Sequence, residues 1–316
     1  MKPKLFLHLK QAHHFVAWER EHFRQYFDLV DSPSQDAIVL SFGPDVIHSG
    51  ARLPASKRFA YILPGFGSNP VYNLELRNEI RGILIEYYDS FFINPGPLEI
   101  AYGDLKNICI CPFSLNTSLV GFSKYRKEIE SLLHISHDSP QKDWQRSQSI
   151  MKKTGLRNEV FPSREAISNQ LGFKWKKRIN HLVKKLTTKN FFNMPPGPGY
   201  VMHEEVIKKY HMYDAFIHVA RDIKDPIYID GKYTASLLEA GLTGAILFWH
   251  DTFQTGKNLE TVFDLPLDIE EAARIILEVR ESINVEKHSQ KTQEEILDVC
   301  RPEHSVSIRC QHILGL

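Results

Sequence analysis

Between Asp214 and Asp251 the chain sets an acidic turn, a pair of hydroxyls and a lone carboxylate in an order suited to a phosphorylated ligand. Asp230-Gly231-Lys232 reads as a tight turn, and Lys232, Tyr233, Thr234, Ala235 and Ser236 read as the entry to a helix that carries Glu239. Backbone N–H groups at a helix start, aided by the helix dipole, can take an anion, and Thr234 or Ser236 can add a hydroxyl. The same two residues also suit an ordinary N-cap. Glu239 lies in an otherwise apolar unit, where a carboxylate needs a partner if buried and none if solvated. An apolar strand, Asp214 to Ala220, precedes the turn, and another, Ala245 to Phe248, follows the helix. Strand, loop, helix and strand in that succession make half of a Rossmann-like unit, fit for a pyrophosphate with an acid in reach of a ribose.

Other residues offer chemistry singly. Lys142, in the run HISHDSPQKDW that begins with His134 and includes His137, can neutralise charge growing on a departing group, or can be a surface lysine at a helix start. His13 and His14 follow the first strand, and with Asp45 they are candidates for a general base. Gly65, Gly67 and Asn69 occupy the loop after a later strand, where glycines permit close approach and a plain turn serves equally well. His203, His211 and His218 do not share one helical face at metal-ligand spacing, and the chain has no Asp-x-Asp motif, so no metal is expected.

These groups need a scaffold, and the apolar runs supply one. Leu5–Leu9, Ala37–Leu40, Phe59–Leu63, Ser90–Ile93 and Ile108–Ile110 read as short buried strands, separated by helices at Val16–Phe27 and Asn73–Tyr88. A second series begins at Leu132–Ser136, continues through a helix from Asp143 to Lys153, and has weaker strands at Val160–Phe161 and Tyr228–Ile229. Ile269–Ile283 reads as a helix, and Lys291-Thr292-Gln293-Glu294-Glu295 as the Thr-capped start of the last one. Alternating strands and helices predict an α/β sandwich.

At 316 residues the chain is long enough for two domains of ordinary size. Its 39 basic and 38 acidic residues leave a net charge of +1, which argues against a dedicated nucleic-acid binder. No run approaches the roughly 20 apolar residues of a membrane span. The first residues, MKPKLFLHLKQAHHF, read as a strand rather than a signal peptide. Cys109, Cys111, Cys300 and Cys310 lack zinc-ribbon spacing, so free thiols in the cytoplasm are expected. The basic stretch Lys174–Lys189, with apolar residues at helical spacing, suits either the inner face of an anionic membrane or a solvated helix face.

The succession Gly199, Val201, Glu204, Glu205, Tyr210, Asp214, Phe216, then Leu238, Glu239, Ala240 and Gly244, resembles the donor-binding half of GT-B glycosyltransferases, closest to the retaining nucleotide-sugar transferases. The resemblance implies an α/β chain of GT-B type, two Rossmann-like domains facing each other across a cleft. Residues 1–120 would form the acceptor-side domain, with a linker near Ser114–Lys124, and 121–290 the donor domain; 291–316 would return to the first. It implies transfer of a sugar from a nucleoside diphosphate to a hydroxyl of a glycan or lipid-linked acceptor, in cell-surface polysaccharide biosynthesis, with no cofactor. Glu239 would hold the ribose, Glu205 would lie beneath the base, and Lys142 would clamp the pyrophosphate with His137 at the position of a family arginine. Gly231 stands where the family has an earlier glutamate, and Asp230 is displaced from it by one. The loop holding His13 and His14 departs from the family's glycine-rich pattern. An epimerase, a polyol-phosphate transferase or a non-catalytic nucleotide-binding scaffold of the same fold are the alternatives, and the anomeric outcome stays open.

Overall fold

The computed structural model describes residues 2–9, 17–43, 45–62, 74–136, 143–161, 203–219, 234–250 and 259–316. The first part of the chain runs β1 (Lys4–His8), a 3-10 turn (Ala17–Glu19) into α1 (Arg20–Phe23), β2 (Asp28–Leu29), β3 (Ile38–Phe42) and α2 (Asp45–His48). After a second 3-10 turn (Gly50–Arg52) come β4 (Lys57–Ile62), α3 (Leu74–Tyr87), β5 (Ser90–Ile93), α4 (Pro97–Tyr102), β6 (Ile108–Ile110) and α5 (Thr117–Val120). The second part runs β7 (Ser131–Ile135), α6 (Trp144–Thr154), β8 (Arg157–Phe161), α7 (His203–Met212), β9 (Ala215–Val219), α8 (Ala235–Leu242), β10 (Ile246–His250) and β11 (Val262–Asp264). Three helices close the chain: α9 (Ile269–Ser282), α10 (Val285–Cys300) and α11 (Pro302–Leu314).

The strands form two sheets, ordered β2-β1-β3-β4-β5-β6 and β11-β10-β9-β7-β8, and every pairing described is parallel. Parallel strands need helical crossovers, which cover both faces, so strand residues of either parity are apolar. In β4, Phe59 and Tyr61 enter one core while Ala60 and Ile62 enter the opposite one. In β10, Leu247 and Trp249 separate from Ile246 and Phe248 in the same way. Each such buried side chain contributes about 1.5–3 kcal/mol over its exposed state.

The chain crosses between the two cores twice, at one place. Phe113 packs against a core of each sheet, and Leu115 N–H donates to the Cys300 carbonyl across 2.8 Å. On the return, Ser305 Oγ donates to the Pro112 carbonyl at 2.7 Å. Helix α10 packs with the second sheet through Ile296 and Cys300, whereas Val306, Cys310 and Ile313 of α11 pack with the first.

Two expected elements differ from those observed. Thr292 caps nothing: it lies inside α10, its hydroxyl donates to the His288 carbonyl, and Asn284 is the true cap, accepting from Lys287 N–H at 2.9 Å. A separate last helix exists because Pro302 cannot continue α10 but fits the first position of α11. The helix expected over Val16–Phe27 is only a 3-10 turn and one α-helical turn, because after Phe23 the backbone leaves the helix through tighter turns, Gln25 N–H to the His22 carbonyl and Tyr26 N–H to that of Phe23, and enters β2 at Asp28. The four cysteines are free thiols, with Cys111, Cys300 and Cys310 buried.

Candidate functional site

Topology alone aims two helix starts at one edge of the second sheet. Helix α8 connects β9 to its parallel neighbour β10, so it runs back along the sheet and begins at the carboxyl ends of the strands. Helix α7 leads into β9 from the opposite edge, so its start, His203, also lies toward those carboxyl ends. Open α/β sheets take their ligands at that edge.

Helix α8 is pressed into the core. A Cβ on Gly241 would lie 2.8 Å from Ile296 Cγ1, so only glycine lets α8 approach α10 this closely. Leu237, Leu238, Ala240 and Leu242 are buried. Glu239 is carried into the same environment and is only 9% exposed. Its Oε1 lies 2.8 Å from Nε2 of His203. That hydrogen bond raises the His203 pKa above its ordinary value, against the opposing effect of burial. The His203 side chain is half exposed, and Glu239 Oε2 has no hydrogen bond among the described residues.

At the start of α8, Thr234 has extended backbone angles and makes no capping hydrogen bond through its side chain. Its hydroxyl lies 3.5 Å from that of Ser236. The first N–H groups of a helix have no intrahelical acceptor, so this end offers donors and hydroxyls together. Helices α6, α9 and α10 differ, since Asp143, Asp268 and Asn284 each accept a backbone N–H of the first turn.

Beside this edge lies a stack of rings that the sequence reading did not assemble. His218 and Trp249, register partners on β9 and β10, have centroids 4.3 Å apart at 11°. His134 of β7 stacks on His218 at 5.0 Å, and its Nε2 lies 2.9 Å from Ser136 Oγ. The signal was a histidine or tryptophan as the last or next-to-last residue of three neighbouring strands.

Structures of known proteins share this fold. An alpha-glucosyltransferase solved with UDP and a 13-mer DNA superposes with a TM-score of 0.57 at 11% identity, over 99% of this chain and 100% of its own. HepE of Anabaena, solved with UDP and glucose, gives 0.57 at 10% identity over 100% and 99%. The chain has the GT-B fold. A GtfA/B complex matches 90% of this chain with a TM-score of 0.50 at 12% identity, and there this chain spans 58% of the longer partner. No family model matches the sequence, and no curated protein matches it.

In the GT-B frame the two Rossmann-like domains face each other across a cleft. Of the remaining expected residues, Glu205, Asp214 and Asp45 are described. Glu205 is exposed and pairs with Lys208 on its own helix at 2.7 Å, so its neighbour His203, and not Glu205, reaches the buried carboxylate. Asp214 serves the opposite edge of the sheet, where Oδ2 accepts from Ser131 Oγ at 2.6 Å. Asp45 is fully buried, 4.0 Å from His8 Nε2. Lys142, His137, His13, His14, Asp230, Gly231, Lys232, Tyr233, Gly65, Gly67, Asn69 and the stretch Lys174–Lys189 lie outside the described residues. Among the described residues no cluster of His, Cys, Asp and Glu is placed to hold a metal ion, and no helix is long and apolar enough to cross a membrane.

Proposed function

We propose that this chain transfers a sugar from a nucleoside-diphosphate donor to a hydroxyl acceptor. The observation that carries the reading is the Glu239 carboxylate: buried on a core helix, held by His203 through one oxygen, with the other uncommitted. A ribose presents adjacent hydroxyl donors, and a carboxylate oxygen in a partly desolvated site accepts them strongly. Thr234, Ser236 and the first amides of α8 would take the diphosphate, and their fixed dipoles would stabilise charge on the departing nucleotide. Lys142 would add a cation to the same group. Closure of the GT-B cleft would exclude water and so suppress hydrolysis of the donor. The acceptor would be a glycan or a lipid-linked hydroxyl engaged by the first domain, in cell-surface polysaccharide assembly. Lys174–Lys189 would hold the protein on the inner face of a membrane.

Both solved relatives reported with UDP have this fold, and UDP is therefore the first probe. Calorimetric and thermal-denaturation titrations of the full chain with UDP, ADP and GDP test the donor site. At 100 times its Kd a bound nucleotide adds about 2.7 kcal/mol of stability. A flat response to every nucleoside diphosphate rejects the reading, and so does binding without transfer to any hydroxyl acceptor from a matching nucleotide sugar.

A further inference from the structure

The first domain contains a cavity that the donor site does not use. It measures about 370 Å³ and includes Phe6, His8, Leu9, Arg20, Pro33 and Leu53 in its lining. His8 ends β1, and all the strands of this sheet are parallel, so the cavity lies toward their carboxyl ends. Its walls are chiefly apolar, and Arg20 is the one fixed cation of the described lining.

Arg20 is in an unusual state for an arginine. Its Nε is buried and has no hydrogen-bond acceptor among the described residues. No hydrogen bond or ion pair joins the guanidinium to another described residue, so Arg20 brings unanswered donors to the cavity lining. The nearby carboxylates are spent elsewhere. Glu19 holds Arg309 through both oxygens, Glu21 pairs with Arg24, and Asp45 lies 4.0 Å from His8. Among the described residues none forms an ion pair with Arg20. Elsewhere in the lining, the two ring nitrogens of His8 are each 3.2 Å from a serine hydroxyl, Ser41 and Ser49. That leaves the guanidinium as the polar group with unused donors. Arginine presents a planar fork of N–H groups that matches carboxylate and phosphate, and the apolar walls match the C–H face of a sugar ring.

We infer that this cavity is a subsite for an acidic sugar, whose carboxylate or phosphate is received by Arg20. The inference rests on the transferase reading for its role, since it makes the acceptor an anionic saccharide; the binding itself is independent of that reading. Isothermal titration of the full chain with glucuronate, glucose 6-phosphate and glucose tests it, with Arg20→Gln in parallel. Either acid binds at least about tenfold more tightly than glucose, the range of one charge-assisted hydrogen bond. Arg20→Gln removes that preference while keeping the wild-type melting temperature, because Arg20 has no ion pair to lose among the described residues. The better of the two acids identifies the source of the charge. Equal binding of glucose, no binding of any sugar, or a preference that survives in Arg20→Gln overturns the inference. A protein that binds the acids but no nucleoside diphosphate overturns the transferase reading and leaves this subsite standing.

Discussion

Two glutamates are buried among the described residues, Glu19 and Glu239, and they are buried in opposite ways. Glu19 is fully enclosed and fully answered: Arg309 Nη1 donates to Oε2 at 2.8 Å, Arg309 Nη2 to Oε1 at 2.5 Å, and Ser114 Oγ to Oε1 at 2.5 Å. Trp18 Nε1 donates to that same serine, and the guanidinium lies over the Tyr61 ring, 4.7 Å from its centre. Glu239 keeps some exposure, spends one oxygen on a half-exposed histidine and leaves the other uncommitted. A carboxylate with every acceptor position answered by rigid neighbours has nothing left for a ligand. The first pair ties the last helix to the first domain, and the second leaves an acceptor oxygen for the donor proposed above.

Breaking the pairs should separate the two roles. Arg309→Ala leaves Glu19 in the core without its cation, and a loss of about 3–5 kcal/mol is expected in urea denaturation. A loss below about 1 kcal/mol would show that Glu19 is not the structural member of the comparison. Replacing both partners by apolar residues should cost far less than Arg309→Ala alone, since no lone charge is left buried. Glu239→Gln is expected to change stability by less than about 1 kcal/mol, in keeping with the small effect of substitutions that leave no charge stranded. It should nevertheless abolish the stabilisation by UDP. If the nucleotide response survives, the second carboxylate is not a ligand group.

The smallest effect is on pH dependence. The His203 pKa is raised in the folded protein by its bond to Glu239, so the folded state holds that proton more tightly than the unfolded chain. Its contribution is therefore complete below the unfolded value of 6.5 and is lost as pH rises through the higher folded value. His288 and His312 are shifted down by burial and act in the opposite sense. The informative quantity is thus the difference in melting temperature between wild type and His203→Gln. That difference should shrink as pH rises from 6 to 8, roughly the span over which histidines titrate. A difference independent of pH would mean that the pair is not held by charge.

Much of the layering was legible in the chain. Ser90–Ile93 and Ile108–Ile110 are strands over the expected residues, and Ala245–Phe248 overlaps β10, because short apolar runs between polar turns can be satisfied only by burial on both faces. Asp143 reads as a helix start from its position alone, and its side chain does cap α6. Other elements were hidden. β2 and β11 are two and three residues long, too short to show a period. The Thr292 signal misled because a threonine three residues before a glutamate looks the same in a helix interior as at its start, and only the side-chain bond to His288 separates them.

The site divides along the same line. Local order along the chain determined that a carboxylate, two hydroxyls and a helix start fall together after an apolar strand, since each depends on neighbours within a few residues. Which carboxylate is spent and which stays available was decided only by the folded chain. His203 lies 36 residues before Glu239, and Arg309 lies 290 residues after Glu19. Pairings across such separations follow from how sheets stack and where the chain crosses between them, and these are properties of the whole packing that no short stretch of residues contains.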